Sequence, residues 1–224
     1  MPPLENLKKI AEDIRAELDT KNRAREEALR LSREVIRLSA NAIRAIHREE
    51  FDDARSLMDQ ARAKVVESRE LLSGQLDIYY TGYVQDAQKE YAEAELTMAI
   101  VRDERAPSHD ELGVECAPYL NGLGEAIGEC RRHVLDIIRL GGMERGEQIL
   151  QIMDDAYYLL VTFDYPDAVT GGLRRTTDMV RGVLERTRGD LTVTIRQRQL
   201  EQSIKAAIGR LTNERGPGQA QGGD

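Results

Sequence analysis

Four glutamates are spaced so that two helices would each present a pair of carboxylates on one face. Glu90 and Glu93 are three residues apart, and Glu125 and Glu129 are four residues apart further along the chain. Side chains at these spacings point in the same direction from a helix. If the two helices face each other, four carboxylates meet, and their repulsion favours a bound cation. Hard oxygen ligands select Mg²⁺ or Mn²⁺, and such an ion can activate water to hydrolyse a phosphodiester.

The same spacing also arises by chance on the solvated faces of an acidic protein. Glu67 and Glu70 form another such pair. The Glu-x-x-His pairs of di-iron bundles are missing, since His133 follows Glu129 by four residues instead of three. The sequence also has no phosphate-binding loop, dinucleotide fingerprint or nucleophilic Ser or Cys motif. From the residues alone, a divalent metal site and ordinary solvated helix faces both stay open.

A column of arginines is the second feature with a chemical use. Six arginines recur in steps of seven, three, four, seven and four residues, so a helix would place them in one narrow sector; they are Arg23, Arg30, Arg33, Arg37, Arg44 and Arg48. We call them the arginine stripe. Guanidinium groups match phosphate oxygens, so the stripe could follow a nucleic-acid backbone. The alternative is a solvated face that pairs with acidic side chains of neighbouring helices.

Composition limits how such residues could be used. The chain has 224 residues, and 40 acidic residues against 32 basic ones give a net charge of −8. This excludes a generally basic nucleic-acid coat, so any basic surface must be local. Two cysteines are too few for a disulfide framework, and no apolar run reaches the roughly 20 residues of a membrane span. We expect a cytoplasmic protein that does not insert into membranes.

The elements that carry these residues are predicted to be long helices. Residues 1–73 contain no glycine, and an apolar face with helical spacing runs through them from Leu31 to Ile46. A break is expected near residues 47–52, a third helix carries Ile78 to Ala94, and separate helices are expected over 173–188 and on to Leu211. Six or seven helices without a sheet predict an all-α bundle. We expect one domain over residues 1–211 and a disordered tail over 212–224.

Short motifs follow one another in a specific order over about residues 15–195. They are Leu31–Val35, Ala45–Arg48, Glu90–Ala94, Tyr119–Gly122, Glu125–Glu129, Leu173–Arg175 and Asp178–Val180. Together they resemble the translin family, and most closely its translin-associated factor X branch. One position departs from the family pattern, because the first acid of the second pair is Asp in the family and Glu125 here.

The resemblance implies an all-α fold of about seven helices that assembles into a hollow, barrel-like octamer. It implies that the octamer encloses RNA or single-stranded DNA, and that it cleaves RNA as an Mg²⁺-dependent endoribonuclease. The family's acidic metal-binding and catalytic set falls on Glu90, Glu93, Glu125 and Glu129, the four residues that spacing had already selected.

The residues and the resemblance are consistent with three functions. The leading expectation is a metal-dependent endoribonuclease in which the four glutamates hold Mg²⁺ (or Mn²⁺) and the arginine stripe positions the phosphate backbone. The second is a non-catalytic oligomer that binds RNA or single-stranded DNA, which the Glu125 departure favours. The third is a helical scaffold whose Arg and Glu faces pair between subunits.

Overall fold

The structure is a computed structural model that describes residues 3–214, with side chains for residues 5–211. It confirms the all-α prediction, since no residue in this range lies in a strand. Nine helical segments span the described residues, and three of them are single turns: α1 Pro3–His47, α2 Phe51–Leu71, α3 Leu76–Tyr79, α4 Gly82–Arg102, α5 His109–Leu112, α6 Cys116–Leu140, α7 Met143–Val161, α8 Asp167–Thr170 and α9 Leu173–Glu214.

The structure differs from the predicted helices in two places. The predicted third helix is broken into α3 and α4 at Thr81, whose backbone is extended (φ −73°, ψ 151°) and whose hydroxyl donates to the carbonyl of Ile78 at 2.6 Å. The two helices predicted beyond residue 173 are one helix, α9. Its Thr192 and Thr194 hydroxyls donate to carbonyls four residues back, which accommodates these β-branched residues in the helix. Residues 215–224 of the predicted tail lie outside the described residues.

Helix α4 is the centre of the fold. It packs against α1 and α2 on one side and against α6 on the other. Every residue from Tyr91 to Val101 is buried, including the polar side chains of Glu93, Glu95 and Thr97. A helix that is buried all round lacks a single apolar face. Polar residues on α4 are therefore placed in the interior, where they need partners.

Two hydrophobic cores lie on either side of α4. One is built from α1, α2 and α4 around Met58 and Tyr91, and the other from α4, α6, α7 and α9 around Ile127 and Met153. Gly122 allows α6 to approach α4 closely. A Cβ at this position would lie 2.8 Å from the carbonyl oxygen of Lys89, so any side chain would push the two helices apart.

In the described part of the chain, none of the helices combines the length and the apolar character that a membrane span needs.

Candidate metal centre

Three of the four predicted carboxylates meet between α4 and α6. Oxygen atoms of Glu90, Glu93 and Glu125 all lie within 4.8 Å of one another. Glu90 and Glu93 face α6 because they are one turn apart on α4, and the contact at Gly122 brings Glu125 across from them. The cluster offers oxygen ligands only, which is the donor set that Mg²⁺ and Mn²⁺ prefer.

Glu93 is the buried member of this group. Its residue surface is 7% exposed. Burial, followed by the charges of Glu125, Glu90 and Glu129, raises the pKa of Glu93 to about 9. Burial is also the main cause that raises the pKa of Glu90. Without a cation, Glu93 is therefore protonated at neutral pH, and a divalent ion would replace that proton.

A second buried glutamate on the same helix shows the contrast. Glu95 is as buried as Glu93, but its carboxylate receives hydrogen bonds from Arg55 at 2.9 Å and from the Tyr91 hydroxyl at 3.1 Å. Glu95 is thus neutralised within the fold, as buried charges usually are. Glu93 has no ion-pair partner among the described side chains and faces other carboxylates instead.

Lys89 supplies the positive charge nearest to the cluster. Its ammonium donates to Glu125 at 2.8 Å and lies 3.6 Å from Glu90. Burial lowers the pKa of Lys89, but the hydrogen bond to Glu125 and the surrounding carboxylates outweigh it and raise the pKa overall. In the absence of a metal ion, Lys89 therefore neutralises part of the cluster.

Glu129, the fourth predicted carboxylate, is held by a different helix. Nε2 of His47, the last residue of α1, lies 2.5 Å from a carboxylate oxygen of Glu129. This hydrogen bond is the main cause that lowers the pKa of Glu129, against the opposing effect of burial. Glu129 is close enough for its charge to act on Glu93. The structure thus places Glu129 at the edge of the group, oriented by His47.

The arginine stripe lies on the exposed face of α1, as its spacing predicts. Four members already have partners close by in the chain. Arg30 bonds to Glu27 and Glu34 and Arg48 to Glu50, whereas Arg23 and Arg44 donate to Thr20 and Asn41. Within the described residues, only Arg33 and Arg37 of the stripe have side chains without a hydrogen bond or ion pair.

Sequence reasoning missed two residues that contact the carboxylates, Lys89 and His47. Lys89 adjoins Glu90 in the sequence, but neighbours in a helix do not share a face, so no periodicity selects it. His47 lies 82 residues from Glu129. Its position at the end of a motif of the resemblance, Ala45–Arg48, was the one available signal.

The fold of this chain is similar to that of solved translin-family proteins. No family model matches the sequence. The chain is 34% identical over 190 residues to the uncharacterized protein MJ0175 of Methanocaldococcus jannaschii, and the match covers 84% of both chains. The crystal structure of AfC3PO, a translin-family protein, superposes with a TM-score of 0.77 at 29% identity and covers 84% of this chain and 98% of AfC3PO. The chain is thus similar in fold, and at 29% identity in sequence, to a solved protein of the translin family.

Other translin-family structures agree with this fold. AfC3PO in complex with duplex RNA superposes with a TM-score of 0.73 at 29% identity. The structure of apo-NeC3PO has a TM-score of 0.71 at 23% identity and covers 87% of this chain and 98% of its own. The translin-family fold therefore extends over most of the chain.

Proposed function

We propose that this chain is a metal-dependent endoribonuclease of the translin family, on its translin-associated factor X branch. The observation that carries the proposal is the cluster of Glu90, Glu93 and Glu125, whose carboxylate oxygens lie within 4.8 Å of one another. Burying Glu93 among like charges opposes folding. An arrangement of this kind is typical of a functional site, because structural carboxylates such as Glu95 are paired.

The donor set fits a divalent ion. Glu90, Glu93 and Glu125 would hold Mg²⁺ or Mn²⁺, and Glu129 would add a fourth carboxylate from the same face of α6. A bound ion of this type supplies a Lewis acid that lowers the pKa of water and offsets the charge of a phosphodiester. His47 fixes the carboxylate of Glu129, which orients that ligand before substrate arrives. Lys89 holds the carboxylate of Glu125 and would have to release it to the ion.

RNA is the proposed substrate, and single-stranded DNA is a further candidate ligand. AfC3PO, at 29% identity, forms a complex with duplex RNA, which supports an RNA ligand for this chain. On α1, the unpaired side chains of Arg33 and Arg37 are the members of the arginine stripe best able to contact phosphates.

We further propose that the active form is a homo-oligomer, an octameric shell around the RNA. Support comes from an apolar row on the first turns of α1: Leu7, Ile10, Ile14 and Leu18 are each between 44% and 59% exposed. A row of this kind at helical spacing fits contact with another protein surface better than contact with water.

A non-catalytic RNA-binding oligomer is the second candidate function, and one contact favours it. The Lys89 ammonium already compensates Glu125, the residue that replaces the family's Asp. If Lys89 remains there when Mg²⁺ is present, the cluster is a structural ion-pair network.

RNA cleavage separates the two functions. The protein is incubated with end-labelled RNA in Mg²⁺, in Mn²⁺ and in EDTA, and fragments are resolved on a gel. Cleavage in Mg²⁺ that is lost in EDTA and in Glu93→Gln supports the enzyme. The matched control is Glu70→Gln, which changes an exposed glutamate away from the cluster and should cleave like the parent. RNA binding without cleavage in any metal would leave the binding function.

A further inference from the structure

A cleft of about 1030 Å³ adjoins the carboxylate cluster. It lies between α4, α6, α8 and the first turns of α9. Glu125 belongs to both the cleft and the cluster, and Lys89, which contacts Glu125, also lines the cleft. The volume slightly exceeds the roughly 300–1,000 Å³ of ordinary ligand pockets, so at least one nucleotide fits. A strand in this cleft would pass directly beside the carboxylates.

Arg175 is an unpaired cation on the α9 wall of the cleft. Its side chain is exposed and makes no hydrogen bond or ion pair with any described residue. Lys89, the other cation in the cleft, is bonded to Glu125. Arg175 is therefore the guanidinium that is free to bind a phosphate.

Tyr80 adds an exposed aromatic ring to the lining of the cleft. It is 60% exposed, and its ring packs edge to face with that of Tyr79, at 82° with 5.1 Å between the centroids. Tyr79 is buried and fixed by its hydroxyl, which donates to Glu115 at 3.0 Å and accepts from Gln88 at 3.1 Å. The anchored Tyr79 supports one side of the Tyr80 ring, and exposed aromatic rings stack well on nucleobases.

Hydrogen bonds of Asn121 connect the helices that form one side of the cleft. Asn121 uses its amide nitrogen to bond to the carbonyls of Ala117 and Thr170, at 2.9 and 2.8 Å, and its amide oxygen accepts from the Thr176 hydroxyl at 2.6 Å. Helices α6, α8 and α9 are thereby joined at one residue. Arg175, next to Thr176, projects from a rigid support.

We propose that an RNA strand lies in this cleft, with a phosphate on the guanidinium of Arg175 and a base stacked on Tyr80, so that the next phosphodiester reaches the carboxylates. The inference rests on the proposed function. It adds the two contacts that position the substrate. Three acidic residues also line the cleft, namely Asp86, Glu115 and Glu125. They outnumber the cations, so RNA enters this cleft only when a divalent ion offsets the carboxylates.

The chain offers a matched control for each contact. Arg174 is the exposed neighbour of Arg175 and does not line the cleft. Tyr158 is 63% exposed and packs against its own neighbour Tyr157, as Tyr80 does against Tyr79, but it lies on α7 away from the cleft. Each pair of variants therefore removes the same type of side chain once inside the cleft and once outside it.

The test measures binding of fluorescein-labelled RNA by anisotropy in Ca²⁺, with a gel to confirm that the probe stays intact. Arg175→Ala should weaken binding about tenfold and reduce the salt dependence by about one phosphate contact, while Arg174→Ala binds like the parent. Tyr80→Ala should lose about tenfold, whereas Tyr80→Phe and Tyr158→Ala keep the parental affinity. In EDTA, Arg175→Ala and the parent should bind equally weakly.

Equal losses in Arg174→Ala and Arg175→Ala, or no loss in Arg175→Ala and Tyr80→Ala, would overturn the cleft assignment. The outcome is separate from that of the proposed function. If Arg175→Ala cleaves RNA and binds it with the affinity of the parent, the assignment of RNA to the cleft is wrong and the nuclease function stands. If RNA binding depends on Arg175 and Tyr80 but RNA is not cleaved in Mg²⁺, the cleft assignment stands and the nuclease function is wrong.

Discussion

Nε2 of His47 lies 2.5 Å from Oε2 of Glu129, so the end of α1 is bonded to the middle of α6 beside the carboxylate cluster. The His47 side chain is only 3% exposed. Its Nδ1 atom is buried without a hydrogen-bond partner among the described residues. A buried imidazole committed to one carboxylate orients that carboxylate.

His47 should therefore affect metal binding through Glu129. Residues that orient metal ligands typically change affinity or activity by about 10–100-fold, and we expect a loss in this range for His47→Ala. His47→Gln should recover much of the loss, because its amide nitrogen can reach the position of Nε2. Mn²⁺ affinity measured by electron paramagnetic resonance checks this, alongside RNA cleavage.

The control for this prediction is His133→Ala. His133 lies one turn after Glu129 on α6, and the structure shows no hydrogen bond between it and any of the four glutamates. Its removal should leave Mn²⁺ affinity unchanged. An equal loss in His47→Gln and His47→Ala would show that His47 only packs.

Glu93 should make the metal-free protein less stable as the pH rises. Its pKa is raised from 4.5 to about 9 in the folded state, so its contribution to stability is full below about pH 4.5 and is lost as the pH approaches 9. Glu93→Gln removes this dependence and should raise Tm by several degrees at pH 8 in EDTA, since about 1 kcal/mol corresponds to roughly 2–4 °C at this size. Calorimetry between pH 5 and 9 measures it, with Glu70→Gln as the control.

Lys89 competes with a metal ion for the same carboxylates. Lys89→Met keeps the length of the half-buried side chain and removes the charge that lies 2.8 Å from Glu125. We expect Mn²⁺ affinity to rise on the order of tenfold, because a nearby positive charge no longer opposes the ion. Titration by isothermal calorimetry measures the change, and unchanged affinity would mean that the ion binds away from Lys89.

Glu125→Asp restores the acid of the family pattern. The shorter side chain withdraws from Lys89 and releases the 2.8 Å contact. If the longer side chain misplaces the ligand, the substitution should raise the rate of RNA cleavage in Mg²⁺ several-fold at unchanged RNA affinity. A single-turnover assay separates the two quantities, and a slower rate would show that this chain is adapted to glutamate.

The arginine stripe should bind RNA unevenly. Arg30 is neutralised by Glu27 and Glu34, whereas Arg33 and Arg37 are unpaired. The double change Arg33→Ala with Arg37→Ala should lower the slope of log affinity against log salt by about two, and Arg30→Ala should lower it by less than one. Salt titrations of RNA binding test this. Parental slopes in the double variant would assign the stripe a structural role.

The meeting of Glu90, Glu93 and Glu125 could be predicted from helical spacing and the family resemblance, since both depend on local pattern. The burial of Glu93 could not, because it results from α4 lying between α1 and α6. The contact between His47 and Glu129 also could not be predicted from the sequence, because it joins distant parts of the chain. Because of this contact, Glu129→Ala would leave the buried His47 imidazole unpaired, at a cost of about 1–3 kcal/mol.

The positions where some helices begin and end could be predicted from the sequence. The end of α1 at His47 and the start of α2 at Phe51 match the predicted break, and Gly141 ends α6 with a φ of 102°. Helix α9 continues through residues 192–195 although β-branched residues there favour a strand, and the Thr192 and Thr194 hydroxyls bond to carbonyls of the same helix.

The close approach at Gly122 has a consequence for ion size. A Cβ there would also lie 3.0 Å from the backbone nitrogen of Glu93, so the hydrogen atom in its place sets how near α6 comes to the ligands on α4. Mg²⁺ needs oxygens at about 2.0–2.1 Å and Ca²⁺ at about 2.3–2.6 Å. A methyl group at residue 122 would widen the space between the helices and shift the preference of the proposed centre toward ions of larger radius. Gly122 would thus influence which ions fit the proposed centre without contacting them.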